Sequence, residues 1–375
     1  RALGVNVEFL NEKELIVTGR GLHGLSEPLT VLDAGNSGTT LRLMMGLLSP
    51  QPFLSVFSGD ASLTRRPMCR VLRPLSTMGA RIYGRNENNN LPLTIVPAEK
   101  KMHGIHYDSP VASAQVKSAI LLAGLYADAP TTVTEPYISR DHTEQMLTGF
   151  GVHLERCGTS VTVFPVEEDS FHAPSEITVP GDISSAAYFL VAGTIIADSH
   201  LRLNNVGINP TRTGILDVLR DMGAHISMHN ERESGGERVA DLLVEAAPLH
   251  GVSFGAEIMP RLIDEIPVLA VAALFAEGDT IITGAGELRV KETDRLHAIA
   301  TELQKLSPGS IEEREDGLVI HGKSEIRRAQ VKSYDDHRMT MSLAVLGAAG
   351  EGVLIENPES VNISYPTFFS EIERL

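Results

Sequence analysis

Tryptophan is absent and cysteine nearly so: the 375 residues hold no Trp and only Cys69 and Cys157. Two cysteines in a chain of this length are no disulfide framework, which fits a reducing compartment, and a cytoplasmic location is expected. Neither sits in a CxxC, and the thirteen histidines show no HExxH or related spacing, so neither a metal site nor a cofactor is expected. Long apolar runs are missing as well. The longest, "IPVLAVAALFA" (266–276) and "YFLVAGTIIA" (188–197), are too short to span a bilayer and read as core helices. Positive charge is scarce: 32 Lys and Arg against 48 Asp and Glu leave a formal net charge of −16. Such a surface repels nucleic acid and anionic membranes, so neither is expected as a partner. An anionic ligand must instead be held by cations gathered locally.

What is present is an ordinary globular composition, 42% hydrophobic and 21% charged, at a length that calls for two domains. One pattern recurs: an amphipathic helix ending in Gly, followed by an extended segment. It occurs as "RALGVNVEF", "LRPLSTMGARIYG", "TEQMLTGFGVHLE", "LDVLRDMGAHISM" and "ATELQKLSPGSIEE", and reads as a helix closed by a left-handed Gly and then a strand. The glycines are Gly4, Gly79, Gly151, Gly223 and Gly309, separated by 75, 72, 72 and 86 residues. That period is too long for a solenoid and suits a compact α/β unit of several strands and two helices. Because only three residues precede Gly4, the first unit is expected to be incomplete and the chain to be an N-terminally truncated version of a longer protein. The Pro- and Gly-punctuated stretch "PSEITVPGDISSAAYFL" (174–190) supplies the domain boundary, giving 1–178 and 179–375. The segment "HNERESGGERVAD" (229–241) reads as a solvated hairpin or loop tip.

Six segments put polar residues in the first turn of an otherwise apolar helix: "GNSGTTLRLMMGLL" (35–48), "SAQVKSAILLAGL" (113–125), "GDISSAAYFLVAG" (181–193), "IDEIPVLAVAALFA" (263–276), "VKETDRLHAIATEL" (290–303) and "YDDHRMTMSLAVLG" (334–347). Asn36, Ser113, Asp182 and Asp264 are the expected caps. Capping does not account for Arg42, Lys117, Lys291, Arg295 and Arg338, which fall in the first two turns of four of these helices. A cation there opposes the helix dipole, at about 0.3–1 kcal/mol when exposed. A bound anion reverses the sign, because N–H groups, dipole and side chain then face one negative group. Glu292 and Asp294 offset part of this locally, so a solvated charged turn is the plainer reading of 291–295 alone. Further arginines follow in "GDASLTRRPMCRVLRPL" (59–75), where Arg66, Arg70 and Arg73 would share one helix face, and Arg140 in "EPYISRDHTEQML" (135–147) stands just ahead of a helix. "GNSGTT" lacks the lysine and spacing of a phosphate loop, and no GxGxxG occurs.

"GNSGTTLRL", "SAQVKSAILLAGL", "DEIPVLAVAALFA", "RVKETDR" and "DDHRM", taken in order and from end to end of the chain, resemble the EPSP synthase family, the 3-phosphoshikimate 1-carboxyvinyltransferases. The resemblance implies an α/β, two-domain fold of six βαβαββ units, three per domain, with helix N-termini converging on an interdomain cleft. It implies a reaction in which the 5-hydroxyl of shikimate 3-phosphate attacks C2 of phosphoenolpyruvate, and phosphate then leaves. Two phosphomonoesters, each about −1.5 to −2 at neutral pH, would need the gathered cations. Position by position, Asp264 matches the proton acceptor from the hydroxyl, and Glu292 the group that protonates the methylene carbon and later removes a proton. Ser113, Gln115, Arg140, Asp264 and Lys291 match the shikimate 3-phosphate site, with Ala114 where some members carry Ser. Gly38, Arg66, Gln115, Arg295 and Arg338 match the phosphoenolpyruvate site. Asn36 and His337 flank it, as pocket residues or as structural hydrogen bonders. A monomer without cofactor is expected.

The chain departs from the family pattern twice. Members carry a Lys-Ser pair and an Arg near the N-terminus that touch both substrates, and the chain as given is expected to be inactive without them. Many have a lysine before the C-terminal Pro of "NISYPTFF", where Ile363, Ser364 and Tyr365 stand here. Two rival readings are the sister transferase acting on UDP-N-acetylglucosamine, with its reactive loop cysteine before Arg-Pro, and a non-catalytic remnant of the fold. Cys69 follows "RRP" in an Arg-rich helix and reads as structural. Glyphosate competes for the phosphoenolpyruvate pocket in this family, and Gly at position 38 leaves room for it. The parent enzyme is therefore expected to be glyphosate-sensitive; full activity at concentrations that silence sensitive relatives would contradict this.

Overall fold

The computed structural model describes residues 1–167, 170–234, 236–323 and 325–375. They form two compact units, Arg1–Ile177 and Thr178–Leu375, each with its own apolar core.

In the first unit the repeat is visible as topology. Strand Leu32–Asp33, helix Gly38–Leu48, strand Ser55–Ser58, helix Cys69–Thr77 and strands Arg81–Gly84 and Asn90–Val96 make one βαβαββ module. Leu32–Asp33 runs parallel to Ser55–Ser58, which pairs antiparallel with Asn90–Val96, and Arg81–Gly84 lies on the outer edge. The same plan returns with strands His106–Asp108, Thr131–Thr134, Leu154–Cys157 and Ser160–Val163 and helices Ala114–Gly124 and His142–Gly149. Buried and part-exposed residues alternate along Ser55–Ser58 and Thr131–Thr134, so one face of each sheet meets the helices. The chain starts with an exposed hairpin, Asn6–Phe9 with Leu15–Thr18.

The second unit holds a full module over strands Ser253–Phe254, Asp279–Ile282, Ile311–Arg314 and Gly317–His321, with helices Ile266–Phe275 and Arg295–Leu306. Before it come helix Ile183–Ile195 and a sheet of His200–Gly207, Glu237–Glu245 and His225–Ser234, the place of a first strand being taken by a bridge from Gly181 to Val206. After it come the parallel pair Gln330–Lys332 and Leu354–Glu356 with helix His337–Ala349 between them. Every residue of Ile266–Phe275 but the last is buried, as expected of a core helix without a polar face. The polar segment 229–241 falls in a hairpin as expected, and Gly235 lies outside the described residues.

All five repeat glycines adopt positive φ, from +82° at Gly4 and Gly309 to +100° at Gly79, a region costly for residues with a Cβ. Caps differ from expectation. Ser37, not Asn36, caps Gly38–Leu48 by accepting from Thr40 N–H at 3.1 Å. Asp264 is not the cap of helix Ile266–Phe275: it lies inside a 3₁₀ turn, Ile263–Glu265, and Glu265 occupies the cap position. Arg66 is extended (φ −72°, ψ 134°) and lies outside the helix that begins at Cys69, so it shares no helix face with Arg70 and Arg73. Pro67 is the cause, since its ring disfavours a helical conformation at the residue before it.

Helices Gly38–Leu48 and Ala114–Gly124 pack backbone to backbone at Gly46. A Cβ there would lie 2.1 Å from the Ala119 carbonyl oxygen, and that oxygen belongs to a helix that cannot yield locally. Gly46→Ala is expected to cost roughly 1–3 kcal/mol of stability, read as a lower denaturation midpoint by circular dichroism. Gly149→Ala, with nothing within 4 Å of the new methyl, is the control and should shift stability by less than about 0.5 kcal/mol.

Candidate active site

In the first unit, the start of Gly38–Leu48 gathers side chains from three segments. Asn36 donates to Asp60 Oδ2 at 2.6 Å and accepts from Arg66 Nη2 at 3.2 Å. Arg42 donates to Gln115 Oε1, and Gln115 Nε2 donates to Thr39 Oγ1 at 2.7 Å. A Cβ on Gly38 would stand 3.0 Å from Arg42 Nη1 and 3.4 Å from Arg66 Nη1, so both guanidinium groups lie against this glycine. Burial pushes the Asp60 carboxyl up, but the Leu63 N–H, Asn36 and Arg66 outweigh it and hold the pKa below the usual carboxylate range. Asp60 thus stays ionised and steers Asn36 towards Arg66.

Ser113 occupies the cap position of Ala114–Gly124, yet its hydroxyl makes no cap bond. Its backbone N–H donates instead to Glu135 Oε1 at 2.8 Å. Ser139 donates its hydroxyl to Glu135 Oε2 at 2.7 Å, and half-buried Arg140 follows it. Lys117 differs from expectation. It is not available to an outside anion: its Nζ lies 3.1 Å from Glu135 Oε2 and 2.8 Å from Glu144 Oε1, deep in the unit.

The second unit is organised around Arg295, whose side chain is 1% exposed. Its Nε donates to Asp336 Oδ2 at 2.7 Å, its Nη2 to Glu292 Oε2 at 2.6 Å, and its Nη1 to Asp264 Oδ1 at 3.3 Å. Lys291 Nζ approaches the same Asp264 oxygen at 3.3 Å. Helix Arg295–Leu306 begins after the Lys291 and Glu292 positions, capped by Asp294, which accepts from His297 N–H at 3.0 Å. Lys291 and Glu292 therefore lie in the approach to the helix and not in its first turn. Burial lowers the affinity of Arg295 for its proton, but Asp336 and Glu292 more than reverse this and keep it cationic.

Arg338 sits beside it, donating to the Asp264 carbonyl at 3.3 Å and lying 3.6 Å from Glu265 Oε1. Glu265 accepts from Ser184, whose hydroxyl oxygen also accepts from Arg212 at 2.6 Å. Burial is the main influence on His337 and lowers its pKa, with Arg338 and Arg295 acting the same way against Asp336 and Glu292. His337 is accordingly neutral at pH 7. Asp336 has two functions at once: its carboxylate receives Arg295 and also caps His337–Ala349 through Arg338 N–H at 2.8 Å. The bend before it is held in an uncommon backbone, Tyr334 at φ +56° and Asp335 at φ +55°. Tyr334 is tied down by donating to Glu302 at 2.8 Å, and burial, then this partner, push its hydroxyl up to about 12. Asn357 donates to Asp335 at 3.3 Å.

The structure thus brings Gly38, Asn36, Arg66 and Gln115 together in one unit, and Asp264, Lys291, Glu292, Arg295, His337 and Arg338 in the other. Ser113 and Ser139, the residue before Arg140, are joined through Glu135. Thr39, Asp60, Glu135, Ser184, Arg212, Glu265 and Asp336 went unassigned from sequence. The available signal was charge inside apolar runs, as for Glu265 in "DEIPVLAVAALFA". Cys69 is the half-buried first residue of its helix, with its N–H donating to Asn89 at 2.8 Å. Among the described residues no cluster of His, Cys, Asp and Glu suits a metal ion, and no helix is long and apolar enough to cross a membrane.

The chain is similar to known proteins over its whole length. The family model described as EPSP synthase (3-phosphoshikimate 1-carboxyvinyltransferase) matches residues 1–372. A 3-phosphoshikimate 1-carboxyvinyltransferase of Bacillus thuringiensis (strain Al Hakam) is 52% identical over all of this chain and 86% of the relative. Another, from Bacillus thuringiensis subsp. konkukian (strain 97-27), is 53% identical with the same coverage. Among solved structures, EPSP synthase from Acinetobacter baumannii superposes with a TM-score of 0.88 at 42% identity, over 100% of this chain and 85% of that one. The enolpyruvyl transferase NikO from Streptomyces tendae, at 18% identity and a TM-score of 0.75, shares the fold. On a match this long and this close, the chain belongs to the EPSP synthase (3-phosphoshikimate 1-carboxyvinyltransferase) family.

Proposed function

We propose that the protein carries out the reaction of its family, transfer of the enolpyruvyl group of phosphoenolpyruvate to the 5-hydroxyl of shikimate 3-phosphate with release of phosphate, with the two roles of acid and base falling to Glu292 and Asp264. The supporting observation is the gathering of Asp264, Lys291 and Glu292 around one buried guanidinium. Both carboxylates accept from Arg295, a contact that favours the charged form of each. Asp264 is then ready to accept the hydroxyl proton as the oxygen attacks C2. A substrate anion that takes the Nη2 bond of Arg295 leaves Glu292 without its cation, and Glu292 can then take up a proton from solvent and pass it to the methylene carbon. Collapse of the tetrahedral adduct expels phosphate, and the same carboxylate takes the methyl proton back. Reading the steps this way separates acid from base by neighbours and not by residue type.

For substrate binding, Gly38, Arg66, Gln115, Arg295 and Arg338, with Asn36 and His337 alongside, would take phosphoenolpyruvate. Ser113, Gln115, Arg140, Asp264 and Lys291 would take shikimate 3-phosphate. The hydroxyl, amide and guanidinium donors suit phosphate and carboxylate oxygens. The match to 3-phosphoshikimate 1-carboxyvinyltransferases favours the phosphorylated shikimate over a UDP-sugar as acceptor, and Cys69 stands at the start of a helix rather than in a loop.

With full-length protein, Asp264→Asn and Glu292→Gln are each expected to lower kcat by roughly 10²–10⁴ while both KM values stay within a few-fold. Phosphate release checks this, and a variant with undiminished kcat removes that residue from its role. Gly38→Ala, whose methyl would press on the Arg42 and Arg66 guanidinium groups, is expected to raise KM for phosphoenolpyruvate by about tenfold or more. KM for shikimate 3-phosphate should hold, and an equal rise in both would show that the glycine serves the fold and not that pocket.

A further inference from the structure

We propose that Glu135, anchored by Lys117, is a positioning residue for shikimate 3-phosphate binding: it holds Ser113 and the Ser139–Arg140 turn in the arrangement that receives the substrate. The inference rests on the assignment of Ser113 and Arg140 to that substrate and goes a step behind it, to what sets their geometry.

Both oxygens of Glu135 are committed. Oε1 accepts from Ser113 N–H at 2.8 Å; Oε2 accepts from the Ser139 hydroxyl at 2.7 Å and its N–H at 3.4 Å, and faces Lys117 Nζ at 3.1 Å. One carboxylate therefore ties the start of helix Ala114–Gly124 to the turn that leads into helix His142–Gly149. It also does the work of an N-terminal cap from outside the helix. A serine at this position ordinarily spends its hydroxyl on a first-turn N–H, and Ser113 does not. With its backbone N–H held by Glu135 and no cap bond made, the hydroxyl is not turned back onto its own helix.

Lys117, Glu135 and Glu144 are 4%, 3% and 2% exposed, so a carboxylate in this position depends on its cation. Glu144 contributes one bond to Lys117 through Oε1, while its buried Oε2 receives no hydrogen bond among the described residues. Among the described residues Glu144 bonds to neither Ser113 nor Ser139, so it shares the burial and the ion pair of Glu135 without the grip on the loops. Lys117 has two carboxylates, and removing either leaves a one-to-one buried pair. That symmetry makes the two glutamates a matched comparison.

The test is steady-state kinetics on the full-length protein with each substrate varied, supported by thermal unfolding. Glu135→Ala is expected to raise KM for shikimate 3-phosphate at least tenfold and to leave KM for phosphoenolpyruvate within twofold. Glu144→Ala should leave both within twofold. Glu135→Gln, which keeps an acceptor for Ser113 N–H but loses the ion pair, should fall between, with a rise of at least threefold; it decides the matter if Glu135→Ala fails to fold. Equal effects of the Glu135 and Glu144 variants, or no effect of the Glu135 variants, overturn the proposal. Ser113→Ala and Arg140→Ala separate the two layers. Should both leave KM for shikimate 3-phosphate unchanged, the binding assignment is wrong and the inference falls with it. Should they raise it while the Glu135 variants do not, the inference alone is wrong.

Discussion

A guanidinium withdrawn from water has to be surrounded by acceptors, and in the second unit that requirement organises everything near Arg295. Its carboxylate partners come from three separate segments, at residues 264, 292 and 336, so the chain must bring a 3₁₀ turn, a helix approach and a helix cap to one point. The desolvation cost of several kcal/mol per ion is offset only while all three hold their geometry. Lys291 and Arg338 are then located by neighbours that Arg295 has already fixed, since both contact Asp264.

The first unit solves a different problem with different groups. Around Gly38 the donors are guanidinium and amide, and the absence of a side chain is itself what lets Arg42 and Arg66 come close. Asp60 is kept ionised there and does its work through Asn36. Carboxylates hold a buried cation in both units, Glu135 and Glu144 on Lys117 in the first and Asp264, Glu292 and Asp336 on Arg295 in the second.

Much of this was legible from the residues. Helix–Gly–strand repeats announced the modules because a chain leaving a helix favours a left-handed residue, and all five glycines adopt positive φ, although Gly4 follows only a turn. The order of motifs announced the family. What could not be read were partners far apart in the chain. A lysine in an apolar helix start is compatible with a ligand anion or with buried glutamates, and for Lys117 only folding brings Glu135 and Glu144 into range. Caps were misread at Asn36 and Asp264 for a related reason. Each is the right type of residue in nearly the right place, but Asp60 and Arg295 claim their side chains first.

The paired left-handed residues Tyr334 and Asp335 bear on how this stretch could change over generations. Each such non-glycine residue costs about 1–2 kcal/mol, so the bend exists only because Glu302 and Asn357 brace it. Sequence drift there is channelled: glycine, asparagine or aspartate fits the backbone, whereas a β-branched newcomer would rotate Asp336 away from the arginine it serves. A segment that touches no proposed substrate group thereby becomes one of the least permissive in the molecule.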